Sequence, residues 1–408
     1  MSRVFDEHSS IAPLITPQGL RVVGGVRGPS GLWRPAMVDP ATGQCVWQGA
    51  GEFSATYGVW TPRFATRGDA VFVFNEGWLG CFDAESGAQR WRVQLGADLS
   101  RSSRRWLRDG ATDDIAIDVL TTAEASVALV RNDDDLLMAF DMRSGGLMWR
   151  LEPYSGRYWV VPGIGVFVHV EDGPSELRGP LGDVRWALPV YEATVAGRHI
   201  FAKVRGPEND SLVCIDAATG QERWRVEEDS VDHIHDAAAG DERVTVAVNG
   251  SFSQRVWSVD ARAQPKKAGF FARLFGRTHG RDLPVKRATL SSTTRVGNRV
   301  FVVADSPAGK HLVVLDASNG EPVASPLPLG AINWVHLRGQ GDVAVARCEH
   351  EGTTVLRAFG ANGAQLWQRE LDDASEHFCR GMDVVVELPR QVAVLNAADG
   401  STRFAYAN

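Results

Sequence analysis

Leu212-Val-Cys-Ile-Asp-Ala-Ala-Thr-Gly-Gln-Glu-Arg-Trp-Arg-Val226 reads as a strand, a turn and a second strand, with Asp216, Gly220 and Trp224 four residues apart. The apolar run ends at Asp216, whose carboxylate can accept backbone N–H bonds within a turn. Gly220 supplies the positive φ that closes a hairpin. Trp224, on the return strand, is large enough to fill the wedge between neighbouring sheets, and its indole N–H is free to reach a carbonyl.

The same register occurs nine times along the 408 residues. Asp39, Gly43 and Trp47 open the series, followed by Asp83, Gly87 and Trp91, then Asp141, Gly145 and Trp149. The fourth unit keeps Gly182 and Trp186 but has Arg178 for Asp, and the fifth is the stretch quoted above. In the sixth, Asp260 is followed by Gln264 and Ala268. The seventh keeps Asp316 and Gly320 with Ala324 for Trp, the eighth reads Phe359, Gly363 and Trp367, and the ninth Asn396, Gly400 and Phe404.

Ahead of each hairpin lies another apolar run bounded by Gly, Asp or Asn, such as Ala70-Val-Phe-Val-Phe74, Ser126-Val-Ala-Leu-Val130 and Arg299-Val-Phe-Val-Val303. These are strand signals. Each unit of 37 to 58 residues has room for three or four short strands, the length of a propeller blade. A sheet this small cannot bury both faces alone, so the units must pack radially into a closed ring. The expected fold is all-β, a single closed β-propeller over residues 1–408, with insertions at about 97–118 and 261–287. Propellers commonly have 4 to 8 blades, which favours eight, with the sixth or ninth unit outside the ring.

The formal charge of -7 argues against nucleic-acid binding, which needs a basic footprint. No apolar run approaches the roughly 20 residues that cross a bilayer, and the first ten residues hold no apolar leader segment. The five cysteines (Cys45, Cys81, Cys214, Cys348, Cys379) are scattered, without a CxxC pair. Buried thiols in a reducing compartment are the simplest reading, which makes the cytoplasm the expected location. A closed ring needs no second copy, so a monomer is expected.

Hairpins of the form Ala-x-Asp-x-x-Thr-Gly-x-x-x-Trp resemble the repeats of PQQ-like β-propellers, the group of the quinoprotein dehydrogenases and the assembly scaffold BamB. Asp216, Thr219, Gly220 and Trp224 match that pattern, as do Asp39, Thr42, Gly43 and Trp47. The resemblance implies the fold for nearly the whole chain and says little of activity, because these residues serve blade packing. For the quinoproteins it further implies export, an adjacent pair of cysteines, a calcium held by Glu, Asn and Asp, and a catalytic Asp. This chain has no adjacent cysteines and no haem-attachment CxxCH, which favours a non-catalytic branch with no catalytic residue, cofactor or metal. The resemblance also implies settings in which such propellers occur beside MoxR-type AAA+ ATPases and von Willebrand A-domain proteins of bacteria.

Insertions are where a scaffold carries its individuality. Ser100-Arg-Ser-Ser-Arg-Arg-Trp-Leu-Arg108 sets four arginines beside a Trp, followed by the acidic Asp109–Asp114 run that can neutralise them. Residues 261–287 hold eight Lys/Arg against one Asp. Within them Phe270, Phe271, Leu274 and Phe275 fall on one face of a short helix, with Lys266, Lys267, Arg273 and Arg277 around them. Such a basic amphipathic segment folds back on the propeller's own rim, docks into a protein partner or lies on an anionic membrane surface.

Other chemistry is thinly represented. His233-Ile-His235 places two imidazoles on one strand face, the start of a metal site for which Glu349-His350 or Glu376-His377 would have to approach in space. Asp133-Asp-Asp135 lacks the Gly and terminal Glu of a calcium loop. There is no GxSxG, no GxGxxG after a strand and no P-loop. Two functions of different class remain: a non-enzymatic cytoplasmic scaffold mediating protein–protein interactions in a bacterial multiprotein assembly, and a propeller that binds a small molecule or metal in its central channel, as sensor or oxidoreductase.

Overall fold

The computed structural model describes residues 11–407 apart from positions 29, 41, 54–62, 76–77, 96–115, 132–135, 153–155, 171–172, 206–209, 228–230, 236–241, 249–253, 263–280, 319, 331, 333, 341, 351–352, 372–375, 381–382 and 389–390. Among them are nine four-stranded antiparallel sheets, each built from four consecutive strands. The blades span 11–48, 63–94, 116–151, 156–188, 192–227, 231–282, 289–330, 334–371 and 376–407. The count equals the number of repeat registers and exceeds the usual range, because both weak units, the sixth and the ninth, fold as blades. The first strands of blades 1 to 6 neighbour one another in order, as do those of blades 7 to 9, so the first strands surround the axis.

No described sheet mixes strands from the two ends of the chain. The ring closes instead by apolar packing, with Val385 and Val394 of blade 9 against Val22, Ala36 and Val38 of blade 1. Second strands are sandwiched between blades and read as continuous apolar runs. Ala70–Asn75 is buried at every position, while the outer strand Gln89–Gln94 buries Trp91 alone.

The repeat residues build both the hairpin and the joint to the next blade. Asp83 Oδ1 accepts from the backbone N–H of Glu85 (3.1 Å) and Ser86 (2.9 Å), and Asp216 Oδ1 accepts from Ala218 (3.0 Å) and Thr219 (3.2 Å). In blade 4, Arg178 takes over by donating to the Gly182 carbonyl (3.0 Å). The other Asp oxygen is often held by a basic residue, as in Arg21–Asp39 (3.2 Å), Arg90–Asp83 (2.7 Å), Arg243–Asp260 (2.8 Å) and Arg299–Asp316.

Across the joint, five of the six repeat tryptophans bond the backbone of the following blade's turn. Trp47 donates its indole N–H to the Ala84 carbonyl (3.0 Å) and Trp91 to Met142 (2.9 Å). Trp149 donates to Pro180 (2.9 Å), Trp186 to Ala217 (2.9 Å) and Trp367 to Ala397 (2.8 Å). The indole also lies against the turn glycine: a Cβ on Gly145 would meet Trp91 Cδ2 at 2.7 Å, and one on Gly220 would meet Trp186 Cγ at 2.7 Å. The glycine is therefore fixed twice, by its positive φ and by the ring beside it.

The turn carboxylates give the fold an acid limit. Hydrogen bonds from Arg90, and then from Ser86, hold Asp83 well below the usual carboxylate range; the Ser144 and Ser318 hydroxyls, with their backbone N–H groups, lower Asp141 and Asp316. A depressed folded pKa contributes stability that is present above the unfolded value and lost as pH falls through the folded one. The urea midpoint should hold steady from about pH 7 to 5 and fall below about pH 4, near the unfolded Asp value. A midpoint that falls already between about pH 7 and 5 would assign the loss to histidines instead.

Candidate functional site

The axis-lining strands carry two clusters of ionisable side chains, each tying blades together. Asp118, on the first strand of blade 3 (Ala116–Thr121), accepts at Oδ1 from Arg67 Nε of blade 2 (2.9 Å) and at Oδ2 from the Tyr158 hydroxyl of blade 4 (3.0 Å). Burial, and then the Asp118 charge, raise the Tyr158 phenol well above its usual range, so it serves as a neutral donor. Arg131 stands over the Tyr158 ring at 5.9 Å. Three blades thus meet on one carboxylate.

The second cluster joins blades 5 and 6. Glu192 accepts from the Ile234 N–H (2.8 Å) and pairs with His233 Nδ1. Burial opposes its charge, but His233 and the Ile234 N–H outweigh it and hold the carboxyl below the usual range. Lys203 donates to the Val231 carbonyl (2.7 Å) and stands over the Tyr191 ring at 5.1 Å. His233, a candidate metal ligand by its spacing, is engaged here by a carboxylate that its sequence neighbours do not announce. Among the described residues no group of three His, Cys, Asp or Glu is placed to hold a metal. The side chains of His235, His350, Glu376 and His377 lie outside the described residues, as does the Asp133–Asp135 run. On blade 8, burial and then the Arg338 and Arg347 charges lower His336, which favours its neutral form.

Blade 6 departs from its siblings because the basic insertion replaces its Asp–Gly turn. Its third strand, Arg255–Asp260, faces a fourth strand of two residues, Arg281–Asp282. The insertion leaves a braced stem. Asp260 Oδ1 accepts from the Arg262 N–H (2.7 Å), and the Arg262 guanidinium pairs with Glu242. On the return side Leu283, Val285 and Ala288 are buried with Val256 against blade 7. Gln254, itself buried, clamps this stem. Its N–H donates to the Ala288 carbonyl (3.0 Å), its carbonyl accepts from Leu283 (3.1 Å), its Oε1 accepts from the Leu290 N–H (2.7 Å) and its amide nitrogen bonds Asp232. Arg243 reaches the Ala317 carbonyl of blade 7 (3.2 Å), the place an indole fills elsewhere.

The docking candidates Lys266, Lys267, Phe270, Phe271, Arg273, Leu274, Phe275 and Arg277 lie outside the described residues, as do Ser100–Arg108. The two expected insertions are shorter than about 97–118 and 261–287: residues 116–118 belong to the first strand of blade 3, and Leu283 and Val285 are core side chains. Elsewhere on the ring, Leu147, Leu181 and Val184 of blades 3 and 4 stand about half exposed, at 50%, 57% and 47%. The described cysteines, Cys45, Cys81, Cys214 and Cys348, are free thiols.

The family model described as outer membrane protein assembly factor BamB matches residues 36–198. Quinoprotein alcohol dehydrogenase PedE of Pseudomonas putida is 32% identical over 74 residues, 18% of this chain and 11% of that protein. A quinoprotein ethanol dehydrogenase of Pseudomonas aeruginosa matches at 32% over 74 residues with the same shares. The matched stretch spans about a tenth of the length of these curated relatives. Among solved structures, a eukaryotic initiation factor superposes with a TM-score of 0.62 at 9% identity, covering 94% of this chain and 95% of that one. BamB from Moraxella catarrhalis gives 0.48 at 15% identity, covering 84% and 96%. Low identity to solved structures speaks to fold alone. In its repeat register and over residues 36–198 the chain is similar to the PQQ-like, BamB-like β-propellers.

Proposed function

We propose that this propeller is a non-enzymatic scaffold that mediates protein–protein interactions in the cytoplasm, within a bacterial multiprotein assembly. The observation that carries the reading is the commitment of the axial carboxylates. Asp118 and Glu192 are engaged in pairing between blades, with Tyr158 and His233 as their partners, which leaves them poorly placed to act on a ligand. A catalytic acid or base would instead project toward a substrate with its proton available. The BamB-like fold is compatible with a scaffold, and the basic, aromatic segment 263–280 stands in sequence between Arg262 and the packed Leu283 and Val285 of blade 6. An acidic or apolar groove on a partner such as a MoxR-type AAA+ ATPase or a von Willebrand A-domain protein would suit that segment.

The experiment must keep 281–288, because Leu283 and Val285 are core. A triple variant, Phe270→Ser, Phe271→Ser and Phe275→Ser, should retain the wild-type thermal midpoint and lose the proteins that co-purify with the native chain. Undiminished capture of every partner by the folded variant would remove the segment from the docking role. Retained protein capture with lost sedimentation on anionic vesicles would assign it to a membrane surface instead.

A further inference from the structure

We propose that the ring opens at the joint between blades 5 and 6, swinging outward about the axial strands. This goes beyond the scaffold reading and does not depend on it.

Five repeat tryptophans each bond the next blade, at 2.8–3.0 Å. Trp224, which faces blade 6, is buried, yet its indole N–H has no acceptor among the described residues. The equivalent carbonyl, Ala261, meets only the Cys214 thiol at 3.9 Å. Blade 6 keeps the Asp260 turn bond to the Arg262 N–H but has Gln264 in place of the turn glycine, and no described acceptor meets the indole. Opening a latched joint breaks a hydrogen bond, whereas opening this one lets water reach a donor that the closed state leaves unsatisfied.

The ties of this joint sit at the other radius. Lys203 to Val231, and Glu192 to His233 and Ile234, all involve the axial ends of the blades, on or beside the first strands. Among the described residues, this joint is tied at the axis and lacks the indole bond at the rim. A hinge results.

Two native cysteines report on it. Cys81 and Cys214 each lie two residues before the repeat Asp, in blades 2 and 5, and both are fully buried. Cys81 sits in the joint latched by Trp91 and Cys214 in the joint of Trp224. Both thiols are fully buried and react only once their joint opens, so a difference in labelling rate reports opening. Alkylating the native full-length chain with iodoacetamide, followed by peptide mass spectrometry, should modify Cys214 about tenfold faster than Cys81 or more. Equal rates, or a faster Cys81, overturn the proposal. As a second reading, Trp91→Phe should speed labelling of Cys81, while Trp224→Phe should leave Cys214 unchanged because no hydrogen bond is lost. Equal acceleration by the two substitutions would show that Trp224 is latched in solution, and the proposal would fall.

Discussion

Trp91→Ala should lower the unfolding free energy by about 3–5 kcal/mol, the cost of deleting a large aromatic from a core that cannot collapse onto the gap. Trp91 lies between Phe72, at 6.2 Å between ring centroids, and Phe140, stacked at 6.5 Å, and its N–H satisfies the Met142 carbonyl. Truncation leaves a cavity between blades 2 and 3 and strips that carbonyl of its donor. The measurement is the urea midpoint at unchanged m-value, since a changed slope would mean a changed unfolding transition. Trp224→Ala opens a comparable cavity without losing a bond, so it should cost less than Trp91→Ala by about 1 kcal/mol, the net worth of one hydrogen bond. A loss below about 1 kcal/mol for Trp91→Ala would mean that the repeat tryptophans are not wedges between blades.

The ring was legible because its hairpin grammar is local and repeats. Asp, Gly and Trp at four-residue spacing specify a turn, a left-handed residue and a wedge, and the structure uses all three so. Even the number of units follows the register, and the usual size range was the poorer guide. What local reading could not see is how one unit addresses the next. Trp224, the residue from which the grammar is most easily read, is the repeat tryptophan whose indole N–H finds no acceptor among the described residues, and the blade it faces departs from the register more than thirty residues on, with Gln264 for the turn glycine.

The axial clusters were illegible for a related reason. Arg67, Asp118 and Tyr158 come from three blades, and no spacing in the chain links them. Asp118 even fell within a stretch read as insertion. His233 was singled out for its period-2 partner His235, yet its engagement is with Glu192, across a joint. Gln254 and Arg243 gave no signal at all. They matter only because blade 6 lacks a full fourth strand and the repeat tryptophan, so a buried amide and a guanidinium brace what the hairpin braces elsewhere. The end of the basic insertion shows the converse error: Leu283 and Val285 sit in a basic stretch and are nonetheless core, because the alternation of apolar residues outweighs the charge around them.

Gly145→Ala tests the joint from its other side. Gly145 has φ of +72°, and a Cβ there would stand 2.7 Å from Trp91 Cδ2, inside van der Waals contact. Two costs add. The left-handed backbone disfavours an L side chain by about 1–2 kcal/mol, and forcing an extra carbon against a packed ring costs about 1–3 kcal/mol more. The sum, about 2–5 kcal/mol, should appear as a lowered urea midpoint. The two terms separate in a double-mutant cycle. With Trp91→Ala in the background the Cβ has room, so Gly145→Ala should then cost only the backbone part, and the coupling between the sites should be about 1–3 kcal/mol. Gly163, with φ of +71° and nothing near its missing Cβ, provides the control for the backbone part alone. If Gly145→Ala costs no more than Gly163→Ala, the indole does not rest on the turn, and the wedge would have to be held by the hydrogen bond to Met142 without the glycine beneath it.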